Sequence, residues 1–271
     1  MPSNQTIFPA WHFDHWRAVD DRVRGGASTS HLDQVHLDLS QSSNGDLEKG
    51  KNSVGARFWG HLDIDTLGGA GFASQSYRYG PSPLRLPSLS YSGLSIIYQP
   101  DPQTHYTEKT PRDYTLVLKT TPTANIPKHP KTPGPPREAQ LTYEVSFSLP
   151  TTTVGKAEAK ANKEEKREFK WNEFQATYRG KPVPEGDERW VPIDPGLIYE
   201  LSIMCRSDFG KQHGDFGVVV KSIEAIRKKE SGWWSGLGWL WNWVVGLFSW
   251  GWSWSSRGGV KLEDDEEKLI A

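Results

Sequence analysis

Between Leu141 and Leu149 apolar and polar residues alternate without a break. Leu141, Tyr143, Val145, Phe147 and Leu149 fall on one side, and Thr142, Glu144, Ser146 and Ser148 on the other. A period of two belongs to an extended strand with one face in a core and one in water; an amphipathic helix would need 3.6. Tyr114, Leu116 and Leu118 repeat the pattern. Apolar runs bounded by turn residues extend it to eight candidate strands: 57–64, 71–79, 94–99, 114–119, 141–149, 169–178, 198–206 and 215–226. No convincing helical periodicity separates them, which excludes a parallel α/β sheet and leaves an all-β sandwich. The 26 glycines and 19 prolines suit a chain of many turns.

The sandwich is expected over residues 10–230, with three insertions. Residues 38–54 are polar and rich in Ser, Asn, Gly and Lys. Residues 120–138 contain six prolines, which favours extended chain. Residues 155–168 are a charged run with helical spacing, read as a solvated excursion between strands.

Residues 231–271 form a separate appendage: a Trp-rich apolar segment followed by an acidic tail. The 25 residues from Gly232 to Ser256 carry no charge and hold eight of the 13 tryptophans: Trp233, Trp234, Trp239, Trp241, Trp243, Trp250, Trp252 and Trp254. The length would span a bilayer, but the glycines, serines and Asn242 argue against a conventional spanning helix. Tryptophan also favours the headgroup interface. The two alternating triplets 239-241-243 and 250-252-254 suit a hairpin with indoles on one face. Either a hairpin or an in-plane helix would present these eight residues to a membrane surface or an apolar partner. Arg227, Lys228 and Lys229 precede the segment, and Arg257 and Lys261 follow it, placed to meet anionic headgroups.

Thirty-two basic against 33 acidic residues give a net charge of −1, without the basic bias of a nucleic-acid binder. The lone Cys205 permits no intrachain disulfide and sits in an apolar run, so it reads as a core residue. There is no Walker A sequence, G-x-S-x-G elbow or HExxH. No enzyme, cofactor or metal centre is expected, although an oxygen-lined cation site at Asp20–Asp21 is one option. Trp59, Tyr77, Tyr79, Trp171 and Trp190 are candidate sugar platforms, with core packing as the alternative for each. Residues 1–10 lack Arg and Lys, so no mitochondrial presequence is read there.

The densest chemistry lies in residues 19–30, VDDRVRGGASTS. Asp20 and Asp21 would pair with Arg22 and Arg24, and Gly25–Gly26 would make a turn needing positive φ. A polar binding edge is the alternative use of the same residues. With the aromatic lead Trp11, Phe13 and Trp16 before it, and GGAGFAS (68–74), FQATYRGKPV (174–183) and the stretch 198–226 after it, the chain resembles the complex I intermediate-associated protein 30 family. The resemblance implies a jelly-roll sandwich of the galactose-binding type. It also implies a non-enzymatic assembly chaperone for mitochondrial NADH:ubiquinone oxidoreductase, peripheral to the inner membrane, that binds assembly intermediates or other assembly factors. Asp20, Asp21, Arg22, Arg24, Gly25 and Gly26 are then the candidate partner-binding edge. The alternative is a glycan- or lipid-headgroup-binding module on the cytosolic face of an intracellular membrane, unconnected with complex I.

Overall fold

The computed structural model describes residues 4–37, 53–122, 140–150 and 164–228. The three insertions fall largely outside these residues, and the Trp-rich segment and acidic tail wholly so. The strands are β1 (Gln5–Thr6), β2 (Trp16–Ala18), β3 (Thr29–Leu37), β4 (Ser53–Leu62), β5 (Phe72–Arg78), β6 (Tyr91–Pro100) and β7 (Asp113–Lys119), then β8 (Leu141–Ser148), β9 (Glu165–Lys170), β10 (Gln175–Tyr178), β11 (Lys181–Pro182), β12 (Glu200–Arg206) and β13 (Gly214–Arg227). Among the described residues the helical elements are short 3-10 turns at Phe13–His15, Asp21–Arg24 and Trp171–Glu173.

The strands form two antiparallel sheets. One has the order β3-β4-β13-β6-β9, with β1 on the second half of β13; the other runs β11-β10-β8-β7-β12-β5-β2. The alternation in the sequence decides which side chains meet between them. Phe58, Leu94, Ile96, Phe216, Val218 and Val220 point inward from the first sheet. Tyr114, Leu116, Leu118, Phe147, Leu201, Ile203 and Cys205 point inward from the second. Phe58 lies 6.2 Å from Tyr114 and 5.1 Å from Phe216 between ring centroids, closing the middle of the core. Cys205 is fully buried, as its apolar run predicts, and burial holds its thiol well above the ordinary range.

Two expectations are corrected. Residues 169–178 are not one strand. β9 ends at Lys170, a 3-10 turn follows at Trp171–Glu173, and β10 begins at Gln175 in the other sheet. The end of the charged run is no excursion either: Glu165–Glu168 are strand. β9 is the rim of its sheet, where one inward residue, Phe169, suffices and charges on the remaining positions guard an open edge. The sandwich also includes residues before position 10, since Gln5 and Thr6 pair with Ala225 and Glu224, and Phe8 stacks on Trp11.

On the outer side of the second sheet, Glu200 is 2% exposed and takes Lys119 Nζ at 2.5 Å and Arg78 Nε at 3.2 Å. Burial alone would raise its pKa. The two cations and their hydrogen bonds outweigh that and leave it lowered from the ordinary 4.5. A lowered acid stabilises the fold fully above its unfolded value, and that stability is lost as the pH falls through the native value. The melting temperature should therefore drop on acidification below about pH 4.5. Glu200→Gln should melt lower at neutral pH and show a flatter acid limb; calorimetry across pH 3–7 checks both.

Candidate functional site

Asp20 and Asp21 sit where β2 gives way to the 3-10 turn, at the corner where the two sheets come together. Neither pairs with an arginine. Asp20 accepts hydrogen bonds from Ser30 Oγ (2.6 Å), the Ser30 amide (3.2 Å) and the Ser74 amide (2.9 Å). Asp21 accepts from Ser28 Oγ (2.6 Å), the Ser28 amide (3.0 Å) and the Phe72 amide (3.2 Å). Ser28 and Ser30 lead into and lie on β3 of the first sheet, whereas Phe72 and Ser74 lie on β5 of the second. Each carboxylate thus joins both sheets. The reason acids are used is stoichiometric: a carboxylate is acceptor-only and can satisfy several donors at once, where a neutral side chain could not.

Both acids are buried, Asp21 to 1% exposure. Burial raises the Asp20 pKa, partly opposed by its bonds from Ser30 and Ser74. All four carboxylate oxygens accept from N–H or O–H donors, six bonds in all. Among the described residues no three His, Cys, Asp or Glu side chains converge on a metal position.

The rest of the motif divides by role. Gly25 has φ of 87°, the left-handed conformation expected of the turn. Gly26 is needed for space: a Cβ there would run into the Asp21 carboxylate. Arg22, Val23 and Arg24 face water, with Val23 71% exposed. Arg24 lies over the Phe72 ring, 5.6 Å from its centroid. The expected Asp–Arg pairing is therefore corrected. The acids turn inward to serines and amides, and the arginines are left facing outward.

The glycine-rich motif at 68–74 meets the first motif directly. It supplies the Phe72 and Ser74 amides, and Gly71 lies against Asp63 and Asp21. Its other side is tied to the loop that carries the chain from β12 in one sheet to β13 in the other: Ser207 Oγ accepts from the Gly71 amide and donates to the Gly69 carbonyl, both at 2.9 Å. That loop turns through Asp208 and Phe209, both at positive φ, and holds Phe209 93% exposed. Segments 20–30, 63–74 and 206–214 are thus knitted into one end of the sandwich. Its outer surface includes Arg22, Val23, Arg24, Asp65, Phe209 and Lys211. The alternate serines 28 and 30 in the sequence were the available signal for the clamp. Nothing in the sequence pointed to Phe209.

Of the candidate sugar platforms, Trp171 is buried, and Tyr77, Tyr79 and Trp190 pack against the core. Trp59 stands on the outer face of the first sheet, stacked on His31 at 4.4 Å and under Arg57 at 4.7 Å, with its indole N–H on Asp33. The eight candidate tryptophans of the appendage lie outside the described residues. Among the described residues no helix is long and apolar enough to cross a membrane.

A two-sheet antiparallel sandwich closed at one corner by paired carboxylates, with an exposed Arg-Val-Arg turn above them, defines the class. The profile of the complex I intermediate-associated protein 30 family matches residues 5–220, and the chain belongs to that family. It is also 34% identical over 218 residues, 80% of each chain, to a protein of Schizosaccharomyces pombe described as uncharacterized.

Proposed function

We propose that this protein is a non-enzymatic assembly factor for mitochondrial respiratory complex I, working at a membrane surface. In this reading it binds assembly intermediates, complex I subunits or other assembly factors, through the edge made by Asp20–Gly26. The observation that carries the proposal is the family match together with the division of labour inside the shared motif. Asp20, Asp21, Gly25 and Gly26 fix the turn, and Arg22, Val23 and Arg24 face outward from it. A turn already fixed in the free protein spares the backbone ordering cost of binding. Guanidinium groups suit carboxylates on a partner, and every carboxylate oxygen of the clamp is already engaged, consistent with binding rather than acid–base chemistry.

The test is a rescue experiment. Cells lacking the protein should accumulate incomplete complex I on native gels, and the wild-type chain should restore it. Arg22→Ala/Arg24→Ala should leave the melting temperature within about 2 °C, since exposed residues contribute little to stability, yet fail to restore the complex. Normal complex I in the deleted cells would overturn the reading.

A second reading, a lipid-headgroup-binding module unconnected with complex I, is favoured by one observation: the exposed Leu89 shares the opposite end of the sandwich with the exposed cations Arg85, Lys170, Arg227 and Lys228.

A further inference from the structure

β13 is the longest strand among the described residues and runs from one end of the sandwich to the other. Its 14 residues place Gly214 beside the clamp and Arg227 about 40 Å away at the other end. The described residues end there, at Lys228, four residues before the uncharged Trp-rich segment begins at Gly232.

That end has an unusual surface. The turn Pro87–Ser90 lifts Leu89 to 89% exposure. The turn is firmly built, with the Ser90 and Tyr91 amides both donating to the Pro87 carbonyl at 2.9 and 3.0 Å. Its base is tied to the exit strand, where the Lys228 amide donates to the Ser90 carbonyl at 2.9 Å and Arg227 lies over the Tyr91 ring. Lys170 pairs across from Gly93 on the neighbouring strand, and Arg85 is exposed on the same loop as Leu89. The loop carrying Leu89 also pairs with the 195–198 segment through Leu84–Ile198 and Leu86–Pro195, which brings the partly exposed Leu197 alongside. Two acids on neighbouring loops, Glu173 and Asp194, accept from backbone amides.

The geometry points to a membrane-docking end: Leu89 inserts into an anionic phospholipid surface while Arg85, Lys170, Arg227 and Lys228 meet the headgroups. Arg22, Val23, Arg24 and Phe209 then face away from the bilayer. This inference rests on the membrane-surface part of the reading above and not on complex I. Charge decides the occupant. Four cations around one apolar tip outnumber the two acids, Glu173 and Asp194, which are already engaged by backbone amides, and leave a net positive end that matches an anionic surface. The chain that follows is rich in the residue that favours the interface. At the clamp end the exposed Arg22, Arg24 and Lys211 share their three segments with Asp63, Asp65 and Asp208, an even mixture of signs that suits a shaped protein partner better than a lipid plane.

The full-length protein provides the test. Cys205 is fully buried, so a thiol dye can be directed to Leu89→Cys or, separately, to Phe209→Cys. With vesicles of phosphatidylcholine and phosphatidylserine, the dye at position 89 should shift to the blue and be quenched by nitroxide-labelled lipid, while the dye at 209 should not respond. Leu89→Asp should weaken vesicle binding by roughly tenfold or more, with an unchanged melting temperature. Failure to bind these vesicles, insertion of position 209 in place of 89, or binding indifferent to Leu89→Asp would each overturn the proposal. Complex I rescue is read separately, so a chain that docks through Leu89 but does not restore complex I would remove only the assembly reading.

Discussion

Asp21→Ala should cost about 3–5 kcal/mol of stability. The substitution removes an acceptor that serves three donors, the Ser28 hydroxyl and the Ser28 and Phe72 amides. Ser28 can turn its hydroxyl to the Asp63 carbonyl, 3.4 Å away, but the two amides have no such freedom. Each buried donor left without a partner costs about 1–3 kcal/mol, and the site is too deeply buried for cheap rehydration. The loss falls on both sheets at once, so it should appear as a lower global transition and not as local fraying. Asp21→Asn tests the mechanism. It keeps the shape but turns half of the acceptor into a donor facing other donors, so it should recover little of the loss. Chemical denaturation with unchanged slope is the measurement. A cost under about 1 kcal/mol would mean that the clamp does not hold the corner.

Gly60→Ala is expected to be nearly as damaging, at about 3 kcal/mol, for a reason that no side-chain adjustment can relieve. A Cβ at Gly60 would penetrate the Thr29 carbonyl and press on the Ser30 Cα across the β3–β4 pair. Because the clashing atoms are backbone, β3 itself must move, and overpacking of this kind typically costs 1–3 kcal/mol or more. β3 carries Ser30 toward Asp20, so the displacement also loosens the clamp. The two substitutions should therefore be less than additive when combined, since both act through the position of β3. A double mutant showing the full sum would disprove that coupling.

These two sites also mark where sequence reasoning reached and where it stopped. Strands β4 to β8, β12 and β13 were legible because each has one or both faces in the core, and burial writes itself into the residue pattern. β3 and β9 were not, because rim strands need few inward residues. β3 buries little beyond Ser30, and β9 little beyond Phe169. The clamp was half visible. The density of charge in residues 19–30 singled out the right segment, but sequence proximity suggested Asp–Arg pairing. The actual partners of Asp20 and Asp21 include Ser74 and Phe72, more than 50 residues away. Which neighbour an acid chooses depends on which direction is buried, and that is a property of the two sheets together.

The position of the last two strands bears on how the molecule is made. β12 lies between β7 and β5 in one sheet, and β13 lies between β4 and β6 in the other. The closing strand pair, joined across the two sheets, therefore inserts one strand into the middle of each layer. A chain emerging from its N-terminus has, until about residue 227 is available, two split sheets with four open inner edges and almost no complete core. Local turns can form early, but the pairings that define the fold join segments far apart in sequence, which predicts slow formation and a long interval of exposed strand edges. A protein of this design would depend on chaperones during synthesis, and premature stop codons upstream of β13 should yield aggregates and not shortened domains.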